Sequence, residues 1–134
     1  MVLKIHNTLS GTKENFIALD DMHVRVYACG PTVYNFAHIG NARMAVVNDL
    51  LINVLRTQFS KVTYVSNITD IDDKIISAAH ELNEPIKNLT TKYTKIYNDD
   101  MGYLNVKLPD IQPHATDHIS EMIDLIKKLI ENNY

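Results

Sequence analysis

The sequence predicts an α/β fold in which one βαβ unit is followed by further helices. Three observations carry that expectation. Val24, Val26 and Ala28 alternate with Arg25 and Tyr27, the period of a strand with one face more buried than the other. Gly40 opens a long segment of apolar residues at helical spacing. Val62–Ile68 is rich in β-branched and aromatic residues and reads as a second strand. Strand, helix and strand within this span make one βαβ unit, whose crossover is expected to be right-handed.

In chain order, Leu3–Leu9 and Phe16–Leu19 are apolar-bearing pieces around Ser10-Gly11-Thr12-Lys13, the pattern of a small hairpin or extended arm. Gly30-Pro31 stops the main strand, because proline has no N–H for the ladder and glycine readily takes positive φ. The helix from Gly40 sets Ala42, Ala45, Val46, Asp49, Leu50, Ile52, Val54 and Leu55 at mostly helical spacings and is expected to end near Phe59-Ser60. Thr69–Leu82 reads as another helix, with Thr69 and Asp72 at capping-box spacing. Pro85 suits a first helical turn, and the segment to Met101-Gly102 places Ile86, Leu89, Tyr93, Ile96 and Tyr97 on one face. Leu108-Pro109 to Gln112-Pro113 reads as a loop. Thr116 is the expected cap of an amphipathic helix carrying Ile119, Met122, Ile123, Ile126, Leu129 and Ile130. A doubly wound sheet needs more than two long strands, so the chain looks like part of a domain.

A length of 134 residues bounds the chain to at most one domain with an ordinary core. Hydrophobic residues at 46% and charged residues at 22% are globular values and exclude wholesale disorder. Net charge is −3 with both signs interspersed, and no basic patch of the kind that grips nucleic acid is visible. One cysteine cannot form an internal disulfide, which fits a reducing compartment. The amino terminus M-V-L-K-I-H-N-T-L-S lacks a signal-like apolar run, and no stretch approaches a membrane span. A cytoplasmic chain with no membrane partner is expected.

Cys29 falls at the carboxyl end of the first long strand, and His38-Ile39-Gly40-Asn41 at the amino end of the next helix. That edge of an open α/β sheet is where ligands bind. A helix amino terminus offers free N–H groups and a positive dipole end to a phosphate. His38 can donate to phosphate oxygens there; a capping histidine is the structural alternative. Thr69 lies at the end of the second strand, on the same edge if the strands are parallel. Asp70, Asp72 and Asp73 could suggest a magnesium site, but acidic residues in a first helical turn are favoured by the dipole and read as capping. His114 and His118, at i, i+4, have no third ligand nearby and read as solvated. His6, His23 and His80 have no metal-ligand spacing to Cys29 either.

Pro31-Thr32-Val33-Tyr34 followed by His38-Ile39-Gly40-Asn41 resembles the HIGH motif of class I aminoacyl-tRNA synthetases. Cys29-Gly30 before it, and Asn67-Ile68-Thr69-Asp70-Ile71-Asp72-Asp73-Lys74-Ile75 after it, narrow the resemblance to the cysteinyl-tRNA synthetase family. The likeness runs from Leu3 to about Asn132. It implies a Rossmann-like class I synthetase catalytic domain, incomplete, of which residues 1–134 are the amino-terminal portion: the first βαβ half plus the following helices, with no anticodon-binding domain.

The resemblance implies ATP-dependent activation of L-cysteine to cysteinyl-adenylate and transfer to tRNA(Cys) by a monomeric parent enzyme, with the isolated fragment inactive. Pro31, Thr32, Tyr34, His38, Ile39, Gly40 and Asn41 would form the nucleotide-binding region, His38 and Asn41 acting on the phosphates. In the family Gly40 lets the adenine approach the backbone. Asn41 departs from the usual second histidine; it can donate through its amide but carries no positive charge. Gly30 and Thr69 would contact cysteine. Cys29 would be a zinc ligand, completed by a second cysteine, a histidine and a glutamate far downstream, so Zn(2+) belongs to the complete enzyme and is not expected to be held by this fragment. Mg(2+) would accompany ATP. Zinc separates cysteine from serine because a bound thiol is deprotonated whereas a hydroxyl is a poor ligand. Two alternatives share these features: a truncated paralogue that only binds nucleotide or partner protein, and a cysteine ligase of the mycothiol pathway.

Overall fold

A computed structural model describes residues 3–134; Met1 and Val2, the start of the amino-terminal stretch read above, lie outside the described residues. The chain opens with a hairpin. β1 (Lys4–Asn7) and β2 (Thr12–Asn15) pair antiparallel around a turn in which Gly11 takes a φ of 68°. The second strand is therefore Thr12–Asn15 and not Phe16–Leu19. Phe16 adds one last rung, its N–H donating to the Leu3 carbonyl at 2.8 Å, while its ring packs edge-on against Phe59, with ring centres 5.9 Å apart, and covers the core cluster around Ile52 and Leu55.

β3 (Val24–Ala28) and β4 (Val62–Ser66) run parallel in continuous register, from Val24 opposite Val62 to Ala28 opposite Ser66. The crossover between them contains α1 (Ile39–Gln58), capped at its end by Phe59 as the spacing predicts. β3 buries Val24 and exposes Arg25 and Tyr27, the alternation read from the sequence. α1 seats Ile52 and Leu55, each 1% exposed, against Val24 and Tyr64, while Val46, Val47 and Leu50 on its other side stay exposed.

The segment expected to be a loop at 108–113 instead lies along the free edge of β4. Ile111 N–H donates to the Tyr64 carbonyl, Ser66 N–H to that of Ile111, and Ile68 N–H to that of Pro113. Pro113 fits because that position has only to accept. The Asp110 carboxylate pins the entry, accepting from the Tyr64 amide at 2.7 Å and from Arg56 at 2.8 Å.

The helices follow with shifted starts. α2 (Asp73–Leu82) begins four residues after Thr69; Asp72 caps it, accepting from the Lys74 amide at 2.9 Å. Asp72 wins the cap because Thr69 is held in the sheet extension, its N–H donating to the Pro31 carbonyl and its own carbonyl accepting from Val33. α3 (Ile86–Tyr103) starts after Pro85 and buries Leu89, Thr90, Tyr93 and Met101; it runs through Gly102 and is followed by Asn105 in the left-handed region. Val33, Ile68, Ile75, Ala79, Leu89 and Tyr93 form a second core between the loop after β3 and helices α2 and α3. A 3-10 turn (Ala115–His118) leads into α4 (Ile119–Glu131), none of whose residues is buried. Thr116 sits inside that turn and is not the cap of α4.

Candidate functional site

Parallel pairing places the loops after β3 and β4 on one edge of the sheet, so Cys29, Gly30 and Thr69 share it. The two loops are stitched together. Gly30 lacks positive φ, so conformational freedom is not why it is glycine. Its requirement is space: an added Cβ would lie 1.6 Å from the Asn67 carbonyl oxygen. The Asn67 side chain completes the join. Its Oδ1 accepts from Gly30 N–H at 3.0 Å and from Tyr27 Oη at 3.1 Å, while Nδ2 donates to Thr69 Oγ1 at 3.2 Å.

His38 is the N-cap of α1. Its Nδ1 accepts from the Gly40 amide at 3.0 Å, and the ring folds so close that a Cβ on residue 40 would meet it at 2.8 Å. Gly40 therefore makes room for the cap. With Nδ1 accepting, the neutral ring carries its proton on Nε2, a donor directed away from the helix amide. Asn41 reciprocates: its Oδ1 accepts from His38 N–H at 3.1 Å, which leaves its amide nitrogen free to donate. The residue that departs from the HIGH pattern is thus a working half of the cap.

Beside this cap lies a cleft of about 180 Å³ lined by the stretch Pro31–His38 with Asn41, Lys74, Tyr93 and Tyr97. It collects Pro31, Thr32, Tyr34, His38 and Asn41 from the expected nucleotide-binding set; Ile39 and Gly40 stand outside its lining, at the exposed start of the helix. Lys74 and Tyr93 escaped the sequence reading as site residues. Lys74 stands over the Tyr34 ring at 5.7 Å, and Phe36 packs edge-on to Tyr93 with centres 5.5 Å apart. Lys74 was legible as part of the second motif block; Tyr93 was legible only as a core position of α3.

Cys29 is an exposed free thiol. Among the described residues no three His, Cys, Asp or Glu side chains converge as metal ligands, and a zinc site needs at least three protein donors. The residues present therefore do not make a zinc site by themselves. The three aspartates divide. Asp72 caps α2 and Asp73 lies in its first turn, but Asp70 does neither. Asp70 is 8% exposed and reaches across to the 3-10 turn, accepting from Thr116 N–H at 3.0 Å, Thr116 Oγ1 at 2.6 Å and His114 Nδ1 at 3.2 Å. Burial pushes its carboxyl upward, but the Thr116 hydroxyl and amide, Asp70's own amide and His114 outweigh it and hold it below the ordinary value. His114 is thus partnered rather than simply solvated, and it precedes the helix instead of sharing it with His118.

A family model for the catalytic domain of class I (C) tRNA synthetases matches residues 15–134. A protein of Wolbachia sp. subsp. Drosophila simulans named cysteine–tRNA ligase is 50% identical over 133 residues, covering 99% of this chain and 29% of that protein. One of the same name from Ehrlichia ruminantium is 52% identical over 126 residues, 94% of this chain and 28% of its own length. Its namesake in Rhodospirillum rubrum is 48% identical over 134 residues, the whole of this chain and 29% of that protein. The chain spans a little over a quarter of the length of these relatives. With its parallel β3–β4 pair, the HIGH-like cap and a family match across nearly its whole length, the chain belongs to the class I (C) tRNA synthetase catalytic-domain family.

Proposed function

We propose that this chain is the amino-terminal part of the catalytic domain of a cysteine–tRNA ligase, and that the edge formed by the β3 and β4 loops receives ATP and L-cysteine. One observation carries the reading: His38 caps α1 through Nδ1, which leaves its Nε2–H and the Asn41 amide as donors at a positive helix end beside the cleft.

In this reading cysteine's carboxylate attacks the α-phosphorus of ATP and pyrophosphate leaves; the terminal ribose hydroxyl of tRNA(Cys) then attacks the cysteinyl carbonyl and AMP leaves. His38 and Asn41 hold charge building on the phosphates as the bond breaks, which is electrostatic stabilisation and not proton transfer. Pro31, Thr32, Tyr34, Ile39 and Gly40 shape the nucleotide site around them. Gly30 and Thr69 contact the amino acid. Magnesium accompanies ATP as part of the substrate. Cys29 is one zinc ligand in the complete enzyme, the others coming from segments outside these residues. When bound, the metal supplies a thiol-selective Lewis-acid contact. Anticodon recognition belongs to a domain other than residues 1–134. Among the described residues no helix is long and apolar enough to cross a membrane. The parent enzyme is read as monomeric and cytoplasmic.

The test is ATP–pyrophosphate exchange by the full-length ligase carrying this segment. Exchange that depends on cysteine, and that serine does not support, is the expected result. Exchange indifferent to cysteine would overturn the reading. The 134-residue chain alone is expected to give none, because in this reading part of the phosphate-binding machinery lies downstream.

A further inference from the structure

We propose that Asn67 is a positioning residue that turns the Thr69 hydroxyl proton toward an acceptor oxygen of the bound amino acid; the proposal rests on the reading above, in which Thr69 contacts cysteine. The reasoning starts from a group with no choice. A backbone N–H can only donate, so the Asn67 atom 3.0 Å from the Gly30 amide must be the oxygen. That fixes which way the Asn67 amide faces. Its nitrogen then lies 3.2 Å from Thr69 Oγ1, and an amide nitrogen can also only donate. Thr69 Oγ1 is thereby an acceptor toward Asn67 and must send its own proton elsewhere. Among the described residues no acceptor takes that proton.

The parts of this relay cannot easily shift. Thr69 is held at both ends of its peptide unit, its N–H on the Pro31 carbonyl at 3.0 Å and its carbonyl under Val33 N–H at 3.2 Å. Asn67 is braced by the close approach of Gly30 to its carbonyl. The hydroxyl therefore presents a proton at the ligand-binding edge of the sheet, linked to Gly30 through the Asn67 side chain. Of the polar atoms of a free amino acid, the carboxylate oxygens are the strongest acceptors. The ammonium would need a lone pair instead, and one of the two on Oγ1 is already engaged.

Asn67→Asp is the discriminating variant in the full-length ligase. It keeps the acceptor for Gly30 and Tyr27 but replaces the donor with a second acceptor, so the Thr69 proton turns inward. Loss of a hydrogen bond to a charged group predicts a fall of roughly ten- to a hundredfold in kcat/KM for cysteine, with KM for ATP within about threefold. In a Thr69→Val background the same change is expected to cost less than about threefold, because the hydroxyl it acts through is gone. Equal losses in both backgrounds, or no loss in either, would overturn the proposal. If Thr69→Val itself leaves cysteine kinetics unchanged, the underlying reading of Thr69 fails instead. Should Asn67→Asp not fold, Asn67→Ala removes the donor to Thr69 without adding charge. It must then show the same dependence on Thr69; a loss independent of Thr69 overturns the relay.

Discussion

The edge of the β3–β4 sheet and the helix α4 are each secured by a polar side chain reaching across the chain, Asn67 in one case and Asp70 in the other. They differ in what lies beneath. Under the edge, Val33, Ile68, Ile75 and Leu89 are essentially sealed from solvent, and a glycine meets a carbonyl where no larger residue fits. Under α4 nothing is buried: Leu125 is 58% and Ile130 66% exposed, and the Asp70 clasp to the preceding turn holds its start. Helices draw most of their stability from packing an apolar face. The edge is therefore preorganised by tertiary contacts, whereas α4 depends on a polar clasp. Periodicity predicted both elements equally well; burial separates them.

The largest effect that would break this contrast is at Gly30. Gly30→Ala puts a methyl 1.6 Å from a backbone oxygen, so the two loops must part. The expected outcome in the full-length ligase is a loss of about 3 kcal/mol or more in stability, read by denaturant unfolding, together with loss of cysteine-dependent exchange. A stable and active Gly30→Ala enzyme would mean that the join between the loops is slack. Asp70→Ala should act on the other region. Unpairing Thr116 and His114 is expected to cost about 1–3 kcal/mol. Hydrogen exchange should quicken in residues 114–131 while the amides of Gly30 and Thr69 stay protected. The clasp also carries a pH signature. Because the Asp70 carboxyl is depressed in the fold, its stabilisation is present above the ordinary carboxylate value of about 4 and is lost as pH falls through the lower, folded value. Acid-induced fraying of α4 that persists unchanged in Asp70→Ala would assign it to another group.

Much of this was legible in the residues, and the misses have a common physical origin. β3, α1 and β4 were read within two residues, because alternation and helical spacing are local properties. The motif edge was legible because a βαβ unit puts strand ends and helix starts together. What could not be read were partners distant in sequence. Thr69 has the chemistry of a cap, yet the Pro31 and Val33 backbone claimed it and left the cap to Asp72. Asp70 has the position of a capping acid, yet its partner lies 46 residues away. The 108–113 stretch looks like loop because of its prolines, and becomes a sheet edge only when β4 offers it a ladder. Asn41, set apart in the sequence as a departure from its motif, turns out to close the cap on His38.

The central claim is that His38 works at the transition state of adenylate formation, its ring set by the cap and its free Nε2–H turned outward. His38→Ala in the full-length ligase tests it most directly, with kcat and KM for ATP measured separately in cysteine-dependent pyrophosphate exchange. Removing one preorganised donor should lower kcat by roughly a hundred- to a thousandfold. KM for ATP should move little, since a group that acts only in the transition state does not hold the ground state. A steep rise in KM with kcat unchanged would contradict the account and leave His38 as a residue that only binds ATP.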